Sequence, residues 1–227
     1  MELTIYQVDA FTDKLFGGNP AAVIPLEEWI DEGLMQKIAL ENNLAETVFF
    51  VKNDLRYDIR WFTPNVEVDI CGHATLASAC VLFNLLDFAG DKIDFFSHRS
   101  GLLSVTKKGD LLTLDFPTDK YVEVALDEKL LSCFQETPIK AFRGRNDFML
   151  IFSSEKLIRE MQPDFRKIGA LDCRGVIVTA KGESVDFVSR WFGPQSGVDE
   201  DHGACTMCGE FCAYKVMNER KTLLSTK

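Results

Sequence analysis

The 227-residue chain carries 25 basic and 35 acidic side chains, for a net charge of -10 and a pI near 4.8, so it would repel a nucleic-acid backbone. At 46% hydrophobic and 26% charged residues it reads as a soluble globular protein, long enough for one large domain or two small ones. No stretch is apolar for long enough to span a bilayer, and Met1-Glu2-Leu3-Thr4 lacks the basic start of an export signal. The expected location is cytoplasmic, with neither membrane nor nucleic acid as partner. Seven cysteines, an odd count without an export signal, argue for reduced thiols.

In chain order, Leu3 to Phe11 predicts a strand, and Gly17-Gly18-Asn19-Pro20 a turn ahead of the apolar run Ala21 to Ile24. Leu34 to Leu44 has helical spacing, with Asn42-Asn43 as its C-terminal cap. Ala45 to Val51 is a β-branched and aromatic strand that begins with one carboxylate, Glu46. Tyr57, Ile59 and Trp61 alternate with polar residues as a half-buried strand requires, and Thr63-Pro64-Asn65 stops the alternation. After Cys71-Gly72-His73, apolar positions from Ala74 to Leu86 cover nearly the whole circumference of a helix, which predicts a buried core helix. Its first turn presents backbone N–H groups of Gly72 and His73 at the positive pole of the helix dipole, a ready site for a carboxylate.

Strands are predicted at 91–96, 102–106 and 111–116, around turns at Ser100-Gly101 and Lys108-Gly109. Leu126 to Phe134 predicts a helix, Phe148 to Phe152 a strand, Ser154 to Met161 a helix, and 175–191 a hairpin. No convincing strand is predicted after Trp191, so the second sheet is expected to expose an edge and the protein to self-associate. The pattern R-W-F-x-P-x-x-x-V-D at residues 60 to 69 recurs without a gap at 190 to 199. Two copies suggest two similar halves, 1–117 and 118–227, facing across one cleft.

Several residues could carry chemistry. Glu46 lies between an apolar helix and an apolar strand, so a partly desolvated carboxylate suited to proton transfer is expected; a solvated loop glutamate is the bland alternative. His73 could orient or protonate a substrate at the helix start, or simply cap its own helix. Asp201 follows the second repeat, where helix-start acids are common. His202, Cys205, Cys208 and Cys212 have zinc-like spacing, but four ligands so close in sequence do not form two separated knuckles, and no structural metal is expected. Cys71 and Cys205, each near a helix start, are the alternative pair for a two-thiol racemase.

These residues resemble the PhzF-like family, related in fold to diaminopimelate epimerase. The motifs are G-N-P-A-A-V at 18–23, N-N-L-A-E-T at 42–47, R-W-F-T-P with C-G-H-A-T at 60–75, D-F-P at 115–117 and V-D-E-D at 198–201. The resemblance implies an α/β (α+β) fold of two pseudo-symmetric halves, each a curved, mostly antiparallel sheet around a central helix, with the active site between them. It also implies an isomerase without a cofactor, in which a glutamate at Glu46 shuttles a proton within a small carboxylated substrate, assisted by His73 and Asp201. Gly72, Asn19 and Gly101 are the candidate substrate-binding positions, and a homodimer is the expected assembly. The chain departs from the family pattern at Ala45, where a serine is usual, and after Asp201, where a Gly-Ser motif has no secure counterpart.

Overall fold

The protein is described from a computed structural model, which covers residues 1–12, 18–116 and 120–201. The described residues fall into two compact units that divide between Thr118 and Asp119.

The first unit opens with β1 (Tyr6–Ala10), antiparallel to β2 (Asn19–Leu26). Asn19 and Pro20 pair with Ala10 and Asp9, so they belong to β2 and not to the expected turn. Gly18 supports it at φ +69, where a side chain would strike the Ala10 carbonyl. The helix α1 (Glu32–Asn42) then carries the chain across to β3 (Glu46–Asn53), which runs parallel to β2, as a parallel pair requires of its connection. The α1 ends are chemically marked. The Leu34 N–H donates to the Asp31 side chain at 3.1 Å, and Asn43 ends the helix in the left-handed region at φ 50.

Antiparallel β4 (Arg56–Phe62) follows, with the short β5 (Glu67–Val68) returning on its end. Then α2 (Gly72–Asn84) crosses to β6 (Lys92–Ser97), parallel to β4, and β7 (Gly101–Lys108) and β8 (Leu111–Asp115) complete the sheet. The strand order is β1-β2-β3-β4-β6-β7-β8, with β5 beside β4. Both edge strands, β1 and β8, touch α2. A flat sheet could not bring both edges to one helix, so the sheet curls around α2. The period of two in the strands assigns the faces. Ala21, Val23, Val48, Phe50, Ile59 and Trp61 turn toward α2, while Ile24, Phe49 and Phe62 face Met35 and Ala39 of α1 on the outside.

The second unit comprises β9 (Val122–Val124), α3 (Glu128–Leu131), β10 (Lys140–Arg143), β11 (Asp147–Ile151), α4 (Glu155–Glu160), α5 (Phe165–Ile168), β12 (Gly175–Lys181), β13 (Phe187–Gly193) and β14 (Val198–Asp201). Its sheet runs β14-β13-β12-β11-β10-β9, antiparallel except for β11 and β12. The helix predicted at 126–134 shrinks to α3, because the Cys133 and Phe134 N–H groups bond three residues back and tighten the chain as both side chains enter the core.

The expectation of no strand after Trp191 is wrong. A 3₁₀ turn at Pro194–Ser196 and Gly197 at φ 82 reverse the chain, and β14 pairs Val198 with Gly193 and Asp201 with Trp191. Asp201 is therefore the last residue of a strand. Three of the four β14 residues are acidic, so no apolar alternation announced it. A charge clamp stands in its place. Arg190 on β13 donates from Nε and Nη2 to the two Glu200 oxygens at 2.6 and 2.7 Å. Arg60 on β4 grips Glu67 of β5 in the same way at 2.7 and 2.8 Å. The repeated R-W-F thus places, in each unit, a bidentate arginine that pins the returning strand.

The other aromatic of the second repeat fixes its glycines. A Cβ on Gly175 would lie 2.5 Å from the Trp191 indole. Gly175→Ala is expected to destabilise the protein by about 1–3 kcal/mol through overpacking. Trp191→Leu in the same chain should recover part of that loss in a denaturant titration, because the clashing ring is gone.

Candidate active site

Glu46 is the first residue of β3 and pairs with Ala21, so its side chain belongs to the row Glu46, Val48, Phe50 that faces α2. The left-handed Asn43 allows the sharp passage from α1 into this strand, and Asn42 Nδ2 donates to Thr47 Oγ1 at 3.2 Å across the corner. The corner therefore delivers a carboxylate to the inner face, where it is only 8% exposed. A solvated loop glutamate does not describe it.

His73 is the second residue of α2 and is 1% exposed. Its Nε2 lies 3.1 Å from Glu46 Oε2. The approach is off the line of an N–H bond, so neither atom has an aligned hydrogen-bond partner although both are buried. The pair is an ion contact with unused hydrogen-bonding capacity. On the other side of the ring, Nδ1 lies 3.5 Å from Cys71 Sγ. Cys71 is extended at φ -145 and its side chain makes no capping bond to the helix, so the N–H groups of Gly72, His73 and Ala74 project from the end of α2 without an intrahelical acceptor. His73 does not cap its own helix; it bridges Cys71 and Glu46.

The loop into α2 is tied by the turn between β6 and β7. Ser100 Oγ donates to the Asp69 carbonyl at 2.6 Å, and Arg99 reaches both the Glu67 carboxylate and Asp69. Gly101, at φ +79, opens β7 beside this anchor. Asn19, 2% exposed, stands two residues before Ala21 in β2 and so faces the same side as Glu46. Asp201 is buried at the end of β14 in the second unit. The anchors Arg99 and Ser100 escaped sequence reading, since each acts across the fold on a residue distant in sequence, and so did the local corner bond from Asn42 to Thr47.

Electrostatics favour a charged His73. Burial alone would push the imidazole down, but the adjoining Cys71 sulfur and Glu46 carboxylate outweigh it and hold the group well above its ordinary range. A histidine whose folded pKa is raised contributes stability that is complete below the unfolded value, about 6.5, and is lost as pH rises through the folded value. The stability difference between the wild type and His73→Asn, from urea titrations, should be largest below about pH 6.5 and shrink as pH rises above it.

Glu46, Cys71 and His73 can each offer a ligand atom within 4.8 Å of the others. Within this cluster Cys71 Sγ lies nearest Nδ1 of the imidazole and Glu46 Oε2 nearest Nε2. His202, Cys205, Cys208 and Cys212 lie outside the described residues, and with them the zinc-like segment and the second thiol of a two-cysteine racemase. Elsewhere, burial pushes the thiols of Cys133, in the second unit's core, and Cys173, packed against it, up to about 11.

This geometry has known relatives. The family model for phenazine biosynthesis-like protein, PhzC-PhzF, matches residues 8–223. An uncharacterized isomerase of Pseudomonas aeruginosa is 47% identical over 227 residues, covering 100% of this chain and 87% of the relative. A PhzF-family crystal structure from Enterococcus faecalis superposes with a TM-score of 0.88 at 42% identity, covering 99% of this chain and 86% of that one. A hydroxyproline epimerase from Agrobacterium vitis shares the fold with a TM-score of 0.61 at 9% identity, over 96% of this chain and 78% of that one. With the curled sheet, the buried glutamate and these matches together, the chain belongs to the phenazine biosynthesis-like PhzC-PhzF family.

Proposed function

We propose that the chain is a cofactor-independent isomerase that moves a proton within a small carboxylated substrate, with Glu46 as the acid/base. The observation that carries this reading is the contact between two buried groups, Glu46 Oε2 and His73 Nε2, at the open end of α2. The substrate carboxylate is taken by the projecting N–H groups of Gly72 and His73, where the helix dipole favours an anion. Glu46 removes a proton from a neighbouring carbon, leaving the C–H electron pair delocalised in the substrate, and returns the proton to another carbon or to the opposite face. Asn19 and Gly101 serve substrate binding in this scheme, and Asp201 is retained as an assisting acid on the family resemblance. The isomerase names of the relatives support the reaction class.

The test is proton exchange in deuterated water across a panel of small amino and hydroxy acids, read by mass spectrometry. Deuterium incorporation at a carbon near the carboxylate is expected for at least one substrate. Exchange that persists unchanged in Glu46→Gln would remove Glu46 from the reaction. The contact of Cys71 with His73 gives the two-thiol racemase its one support, and that reading predicts rapid inactivation by a thiol alkylating agent at neutral pH. A homodimer belongs to the same proposal, and light scattering on the purified protein reads it directly.

A further inference from the structure

We infer that Cys71 is a positioning residue held as a thiolate against the His73 imidazolium, so that the site is a three-member chain, Cys71–His73–Glu46, with an anion at each nitrogen of one cationic ring. The inference starts from geometry. Cys71 Sγ is 3.5 Å from Nδ1, and Glu46 Oε2 is 3.1 Å from Nε2. All three groups are at least nine-tenths buried, and both Oε2 and Nε2 lack an aligned partner, so water does not set their charges.

Two proton arrangements fit such a chain. In one, the thiol donates to Nδ1 and a neutral ring donates from Nε2. In the other, the sulfur is an anion and both nitrogens donate. Three features favour the second. Cys71 is the N-cap of a 13-residue helix, where the dipole stabilises a thiolate. An imidazole in contact is the usual base that takes a thiol proton. Among the described residues, Cys71 from the N-cap and Glu46 from β3 are the titratable groups that act on the ring, and both favour its cationic form. Cys133 and Cys173 are instead pushed up by burial, which outweighs the nearby cations Lys167 and Arg143.

The consequence is a division of labour within one side chain. The sulfur holds Nδ1–H and thereby fixes the ring with Nε2 3.1 Å from Glu46 Oε2, so Cys71 acts on proton transfer through His73 without touching the substrate. This describes the resting protein and stands apart from whether Glu46 is the catalytic base.

The experiment is nitrogen-15 NMR of the histidine rings with carbon-13 labelling at cysteine Cβ, on the full chain at pH 7. The chain has three histidines, and the His73 signals are assigned by their loss in His73→Asn. The expected result is two protonated ring nitrogens on His73 and a thiolate Cβ signal that disappears in Cys71→Ser. In that variant the hydroxyl donates to Nδ1, and the His73 nitrogens should split into one protonated and one unprotonated. A neutral thiol with an unprotonated Nδ1 in the wild type would overturn the inference, whether or not the variant folds. A folded Cys71→Ser chain whose His73 stays doubly protonated would also overturn it, because Glu46 alone would then set the charge.

Discussion

Glu46→Gln is expected to lower turnover about 10²- to 10⁴-fold while leaving the urea midpoint of the protein nearly unchanged. The amide matches the carboxylate in size, so the row Glu46, Val48, Phe50 keeps its packing against α2. What it cannot do is accept a proton. It also removes one of the two groups that hold His73 cationic, so the His73 titration should move down in the variant. The two readouts separate causes. Lost exchange with an intact fold identifies an acid/base, whereas lost exchange with a large stability loss would point to damage at the β3 corner. Undiminished exchange would exclude Glu46 from the chemistry.

The largest stability effect is expected in the second unit. Asp147, 1% exposed, accepts a bidentate grip from Arg174, whose Nε lies 3.0 Å from Oδ1 and whose Nη2 meets Oδ2. The pair joins the start of β11 to the segment entering β12, where the Arg174 N–H also donates to the Asn146 carbonyl at 2.7 Å. Arg174→Ala leaves the buried carboxylate without its counter-charge. The expected loss is about 3–5 kcal/mol, read from the shift in denaturation midpoint. Asp147→Leu with Arg174→Met should be markedly more stable than Arg174→Ala, because no uncompensated charge remains. A single variant within about 0.5 kcal/mol of wild type would mean that solvent replaces the arginine.

These two sites were not equally legible. Glu46 could be read because an acid between an apolar helix and an apolar strand is conspicuous in one dimension, and its strand has the β-branched and aromatic composition that fixes a side-chain period of two. Asp147 carries no such signal: its partner is 27 residues away and becomes visible only when β11 and β12 lie side by side. The same distinction explains β14. Its three acids look like a solvated loop, and only the Arg190 clamp and the pairing with β13 make them a strand.

By itself, the sequence determined most of the first unit's strands but not β2 or the short β5, together with the buried helix after Cys71-Gly72-His73, the cap at Asn43 and the paired R-W-F motifs, because each is written in local periodicity or in a residue's own backbone preference. Only the tertiary structure decided that the sheet curls until both edges reach α2, that His73 spans from Cys71 to Glu46, and that Arg99 and Ser100 hold the loop before the helix. The physical reason is common to all three. Contacts between residues far apart in sequence depend on strand register and sheet curvature, which arise from the summed packing of the core and leave no mark at either partner.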